Sequence, residues 1–249
     1  MAKRRNSNRR RRRGSFQFLY KLISVLLICA AIVAALTLFF KVETTQVTGT
    51  SRYTAQEVLV SSGVKQGDNL FLLNKNAVAS QIVHQLPYVE EVRIHRTLPA
   101  TLRIEVTECD AAGVIVQEGA GWLISPGGKI IEKIAPAKAK DYAVIDGCTL
   151  LTPAVSFPLQ MEDAHKQKEM LTLLGALRDG GMLPQTDAIH LGDPAAVTMD
   201  YGDRFAVRFV WGADYGYKLQ NLQAVIDKLE VNETGVVDLT LDGEAHFIP

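Results

Sequence analysis

The chain has 249 residues, 47% hydrophobic and 22% charged, with 27 Lys+Arg against 27 Asp+Glu and three cysteines. So few cysteines exclude a disulfide framework. The net charge of zero excludes little until it is divided, because the basic residues crowd one end.

Nine basic residues and no acidic one precede Leu22: Lys3, Arg4, Arg5, Arg9, Arg10, Arg11, Arg12, Arg13 and Lys21. An uncharged run of nineteen residues, Leu22 to Phe40, follows. As a helix rising 1.5 Å per residue it spans roughly 28 Å, close to the ~30 Å hydrocarbon core of a bilayer. A cleaved signal peptide is the rival reading, but its apolar region is about 7 to 15 residues and ends in small residues. The exit here is bulky, Leu36-Thr37-Leu38-Phe39-Phe40, so a retained anchor over 22–40 is expected. Lys21 and Lys41 bracket it and can snorkel to the headgroups. Basic residues beside a span stay cytoplasmic, which predicts a basic tail, residues 1–21, inside, disordered over 1–15, and everything after Lys41 outside. Beside a membrane, that tail is expected to contact anionic lipid rather than nucleic acid. The outer part carries 17 basic and 27 acidic residues, a net of −10. Cys109 and Cys148 both fall there and could pair.

Residues 42–108 read as strand, helix, helix, strand, strand. Val42 to Val47 is rich in β-branched residues and breaks at Gly49. Thr54-Ala55-Gln56-Glu57 is a capping box, Ala55, Val58 and Leu59 share one helical face, and Gly63 ends that helix. A second helix from near Asn76 has the apolar stripe Val78, Ile82, Leu86 and is stopped by Pro87. In the two alternating strands that follow, Val92, Ile94 and Arg96 share a face, as do Leu102, Ile104 and Val106. Thr97-Leu98-Pro99-Ala100 joins them as a hairpin. Helices covering one sheet face give a two-layer α+β unit.

This order directly after a membrane anchor resembles the POTRA domain of the bacterial cell-division family FtsQ/DivIB. The matching residues are Val47-x-Gly49, Gly67-Asp68-Asn69-Leu70-Phe71, Leu86-Pro87-Tyr88-Val89 and, most specifically, Arg96-Thr97-Leu98-Pro99-Ala100-Thr101-Leu102-Arg103-Ile104-x-Val106-x-Glu108. Leu98 departs from the tryptophan usual in the family, and Cys109 from a basic residue.

Residues 110–249 are dominated by strand signals broken by two helices. Ala112 to Gln117, Trp122 to Ile124 and Lys129 to Lys133 read as strands, the last entered through the turn Ser125-Pro126-Gly127-Gly128. Tyr142 to Ile145 is another strand. Met161 to about Asp179 reads as a helix with Met170, Leu173, Leu174 and Leu177 on one face and Gly180-Gly181 at its end. Ala188 to Leu191, Ala196 to Tyr201 and Phe205 to Trp211 form a three-strand meander. A helix near Tyr217 to Leu229 buries Leu219, Leu222, Val225, Ile226 and Leu229. The strand Val236 to Leu241, the turn Asp242-Gly243 and the strand Glu244 to Ile248 close the chain as a hairpin. This part resembles the β domain of the same family through the Lys218-Leu219 helix and the Val237-Asp238-Leu239 strand. The fold expected is therefore α+β: one N-terminal transmembrane helix, a POTRA domain (β-α-α-β-β, 42–108), and a mixed β-sheet domain with two or more helices (110–249).

No catalytic constellation emerges, and no cofactor is expected. The five histidines, His84, His95, His165, His190 and His246, are scattered, without a His-Glu-x-x-His or Cys-x-x-Cys spacing for metal. Ser125-Pro126-Gly127-Gly128-Lys129 lacks phosphate-loop spacing. Glu90 and Glu91, neighbours on a strand, point to opposite faces and cannot pair as acid and base. The residues argue for binding: a C-terminal strand is expected at a sheet edge, where unpaired N–H and C=O groups recruit a partner strand.

The family resemblance implies a non-catalytic bitopic scaffold of the division machinery at the septum. It docks a small FtsB/DivIC-like protein paired with an FtsL-like one, and thereby joins the septal peptidoglycan synthase complex. On that basis Val237, Leu239, Leu241, Glu244, His246 and Phe247 are expected to bind the partner, with Phe247 as the aromatic anchor. Arg96, Leu98 and Pro99 of the POTRA hairpin are assigned to recruitment. A POTRA-containing envelope assembly or secretion factor, or a membrane-anchored envelope enzyme, are the other classes in play.

Overall fold

The computed structural model describes residues 16–241 and 243–249. Most of the basic tail, Arg9 to Arg13 included, and Asp242 of the expected turn lie outside the described residues. The chain forms two compact units.

The first unit comprises the chain through Thr44 together with Lys65–Leu73 and Arg96–Leu102. Its helix α1 spans Phe16–Phe39, starting before the expected Leu22 and taking in an exposed Lys21. Beyond Lys21 it is uncharged to its end, and an 18-residue window within Phe18–Phe39 has a mean hydropathy of 2.9 and is 0% buried, which fits a single membrane span. Beyond it, Val42 donates to Asp68 O (2.8 Å) and accepts from Gly67 N (2.8 Å), while Glu43 and Thr44 donate to Ala100 O (2.9 and 3.2 Å).

The second unit holds Thr45–Val64, Asn74–His95 and Arg103–Pro249. Its helix α2, Ala55–Ser62, opens on the capping box: Glu57 N donates to Thr54 Oγ1 (3.2 Å) and Thr54 N to Glu57 Oε2 (2.7 Å). Helix α3, Lys75–Gln85, is capped by Asn74 and ends ahead of Pro87. Strands β1 (Thr44–Thr48), β2 (Val89–Thr97) and β3 (Thr101–Glu108) form a sheet in the order β1-β3-β2. Val58, Ile82, Ile94, Ile104 and Val106 are buried. Gly49 is required by contact as well as by its φ of 84°: a Cβ there would lie 2.1 Å from Val106 O. Glu108 earns its place structurally, accepting from Ser51 Oγ (2.6 Å) and from the backbone N–H groups of Ser51, Arg52 and Tyr53. Burial raises its pKa, but these donors outweigh burial and the net direction is down.

After β3 come β4 (Gly113–Gln117), β5 (Ala120–Ile124) and β6 (Ile130–Ile134). The expected turn at 125–128 forms, and it delivers Lys129 into the protein. Its Nζ donates to Val83 O (2.5 Å), Leu86 O (3.2 Å) and Val89 O (2.9 Å), carbonyls that lie where α3 ends and β2 begins. Burial pushes the Lys129 pKa down, against the opposing pull of Cys109 and Glu90. Gly127 leaves room for Glu90, whose Oε1 would lie 1.8 Å from a Cβ. Cys109 Sγ donates to Tyr88 O (3.6 Å), and burial, with the Glu90 carboxylate nearby, raises its thiol pKa to about 12. Cys109 and Cys148 are both free thiols.

The remaining elements are β7 (Val144–Asp146), α4 (Ala164–Asp179), β8 (Thr186–His190), β9 (Ala196–Tyr201), β10 (Phe205–Val210), α5 (Tyr215–Ile226), β11 (Gly235–Asp238) and β12 (His246–Ile248). Two boundaries differ from expectation for one reason. Asp163 accepts from His165 N and Lys166 N, so α4 begins after it and not at Met161; Asp214 accepts from Tyr217 N and starts α5 at Tyr215. The nine-stranded sheet runs β12-β11-β10-β9-β8-β7-β4-β5-β6. Its pairs β4–β7, β7–β8 and β10–β11 are parallel. Met170, Leu173, Leu174 and Leu177 of α4 share one buried core with Leu219 and Leu222 of α5 and with Ile189, Met199, Val207 and Val237 of the sheet.

Changing Lys129 to Met keeps the apolar stem but strips three buried carbonyls of their donor. We expect a loss of about 2 to 3 kcal/mol, read as a lower urea midpoint for the detergent-solubilised chain. An unchanged midpoint would show that the ammonium is dispensable.

Candidate partner-binding edge

Six strands of the large sheet are in register along two neighbouring rows. The row Ile145–Ile189–Met199–Val207–Val237–Phe247 is apolar and joins the core under the helices. The next residue along each strand gives the row Asp146–His190–Thr198–Arg208–Asp238–His246, which faces the opposite side. Alternation at period two places every member of one row on the face away from the other.

That register corrects part of the expected site. Val237 and Leu239 are fully buried, and Phe247 packs inward with its ring 6.3 Å from that of Phe205. Val237 and Leu239 are therefore core residues, and Phe247 is a brace of β12 rather than a free aromatic anchor. The signal was in the sequence: apolar Val237 and Leu239 alternate with polar Asp238 and Thr240. What β11 and β12 present outward is Val236, Asp238, His246 and Ile248, with exposed Leu241 and Glu244 just beyond the ladder.

Three contacts hold this edge. Arg204 donates from Nη2 to Glu230 O (2.7 Å) and from Nε to Glu233 O (3.0 Å), fixing the turn that leads into β11. Buried Lys218 donates from Nζ to Leu241 O (2.6 Å). Asp238 Oδ1 accepts from Thr240 N (2.9 Å) and Oγ1 (2.6 Å), which ends β11 before the expected Leu241. Those Thr240 donors outweigh partial burial and hold the Asp238 carboxyl below its usual range. Gly235 is needed for close approach, since a Cβ there would lie 2.2 Å from Ile248 O. At the other end of the sheet, Ser156 and Phe157 cover the start of β6 by bonding to both polar groups of Ile130. β12 is the opposite terminal strand, three residues long, paired on one side to β11.

Of the hairpin residues, Leu98 and Pro99 are exposed, but Arg96 is half-buried and donates to Leu73 O (2.7 Å), so it serves the fold. The histidines are not all isolated. Parallel pairing of β7 and β8 sets His190 beside Asp146, at 2.8 Å from Nδ1, while Nε2 reaches Asp200 at 3.2 Å. Sequence separation concealed this trio. With each ring nitrogen taken by a carboxylate it has no free ligand position, and no metal-holding group of three occurs among the described residues.

Burial opposes the charged form of His190, but the bonds to Asp200 and Asp146 outweigh it, so its pKa is raised. A raised folded pKa means stabilisation that is complete below the unfolded value of about 6.5 and lost as pH climbs through the folded value. His190→Gln should therefore lower the Tm more at about pH 6 than at about pH 9. Equal losses at both would mean the ring is held neutral.

Comparisons with known proteins bear on this fold directly. Residues 40–108 match the family model described as POTRA domain, FtsQ-type. The chain is 35% identical to a cell division protein FtsQ of Corynebacterium glutamicum over 109 residues, 44% of this chain and 49% of that protein. It is 26% identical to FtsQ of Geotalea daltonii over 83% of this chain and 74% of that one. It is also 26% identical to cell division protein DivIB of Clostridium botulinum, over 84% and 82%.

Proposed function

We propose, for a chain that belongs to the FtsQ/DivIB family of bacterial cell division proteins, that it acts by binding as a bitopic scaffold at the division septum. The basic tail lies in the cytoplasm, where it contacts anionic lipid, and the ectodomain lies outside. The edge strand β12 captures a strand from an FtsB/DivIC-like partner that is paired with an FtsL-like protein, and so links the protein to septal peptidoglycan synthesis. The observation that carries this reading is the terminal position of β12, with His246 and Ile248 directed outward and neither replaced by a lysine or proline that would guard the edge. Strand addition takes affinity from the main chain and specificity from alternate side chains. Here the available side chains are His246 and Ile248, with Val236 and Leu241 beside them.

The test separates binding from folding. Ile248→Asp and Leu241→Asp alter exposed positions, so the melting curve should be unchanged while co-purification with the FtsB/DivIC-like protein of the native cell is lost. Undiminished co-purification would sink strand capture at this edge. A fluorescent fusion at the N-terminus should form a midcell band that appears with constriction; uniform membrane signal through division would overturn the septal assignment.

A further inference from the structure

The unit that contains α1 carries a second surface, on which the partner edge does not depend. Asn69 lies beside the last turn of α1. Its Nδ2 donates to Leu36 O (2.8 Å) and more distantly to Thr37 O (3.4 Å), while its Oδ1 accepts from Phe71 N (2.8 Å) and Leu72 N (3.1 Å). Leu70 N donates to Phe40 O (2.9 Å), and the rings of Phe40 and Phe71 meet edge to face at 5.1 Å. The end of a membrane helix leaves carbonyls without partners where water is scarce, and this loop supplies the donors.

The consequence is positional. A loop hydrogen-bonded to Leu36 and Phe40 sits at the depth of the span's outer end, and α1 is about 33 Å long over its apolar residues at 1.5 Å each. Yet Leu72 is 76% exposed, Phe71 43% and, at the hairpin tip of the same unit, Leu98 54%. In the same unit Leu38 and Phe39 of the span are 66% and 73% exposed, and Phe71 meets Phe40 just beyond them. Backbone bonds from Glu43 and Thr44 to Ala100 O, and a bond from the Arg96 side chain to Leu73 O, tie tip and loop to the base of the helix.

We propose that Phe71, Leu72 and Leu98 form a monotopic contact with the outer face of the bilayer around the exit of α1. The occupant is lipid because the loop is hydrogen-bonded to Leu36 and Phe40 and is thereby held at the outer end of the span. Apolar side chains at that level lodge at the boundary of headgroups and acyl chains. Two connections, span and collar, then fix the juxtamembrane unit against the membrane where a lone helix would leave it free to swivel.

The test uses the full chain in liposomes of phosphatidylcholine and phosphatidylglycerol. An environment-sensitive fluorophore is attached at Leu72→Cys or Leu98→Cys after Cys29→Ala, Cys109→Ala and Cys148→Ala. Both positions are exposed, so labelling does not disturb the core. The expected result is blue-shifted emission, loss of that emission with nitroxide high on the acyl chain, and little loss with aqueous iodide. Quenching by iodide with none by lipid nitroxide would overturn the proposal. Protection from both quenchers would also overturn it, because a protein would then cover the patch.

Discussion

One ammonium group organises the larger unit. Lys129 is 7% exposed, and its Nζ collects the backbone carbonyls of Val83, Leu86 and Val89, where α3 ends and β2 begins. Burying a charge is costly unless donors and acceptors match around it, and three carbonyls at a helix C-terminus supply that match. The arrangement fixes the turn before β6 against the base of α3, so strands that follow the POTRA segment start from a defined place. Glu90 and Gly127 fit around it, the missing Cβ of Gly127 admitting the Glu90 carboxylate.

From that fixed start the large sheet extends to β12 by strict alternation. One row buries Ile189, Met199, Val207 and Val237 under α4 and α5, and its neighbour exposes His190, Arg208, Asp238 and His246. The ladder stops differently at its two ends. β6 is covered at its start by Ser156 and Phe157, whereas β12 terminates the sheet with Phe247 directed inward and Ile248 outward. Gly235 lets β11 approach closely, since a Cβ there would lie 2.2 Å from Ile248 O.

The apolar helix α1 is joined to the residues that follow it by a different device. Asn69 satisfies donors and acceptors in both directions, α1 carbonyls on one side and its own loop on the other. The helix therefore does not lead into a free linker. It ends in a collar of backbone bonds donated by Val42, Leu70, Glu43 and Thr44, the last two to Ala100 O.

Much of this was legible in local sequence. The apolar run fixed a membrane helix, Thr54 and Glu57 fixed the start of α2, Pro87 the end of α3, and the 3.6-residue stripes the inner faces of α4 and α5, because each depends on neighbours a few residues apart. Val237 and Leu239 are buried and Phe247 is half-buried, the inward side that their alternation with polar residues pointed to. Other features had no local signal. Lys129 reads as a turn-exit lysine until α3 is brought to it across 40 or more residues, and Asp146 meets His190 only because β7 and β8 pair in parallel. Parallel pairing needs a crossover, so its register is set by how α4 packs and not by the strand sequences themselves. The sequence by itself determined the elements, their caps and their apolar faces, since those energies are short-range. The tertiary structure decided which strands became neighbours, which strand was left at the edge, and which charge was buried, since those depend on contacts between residues far apart in the chain.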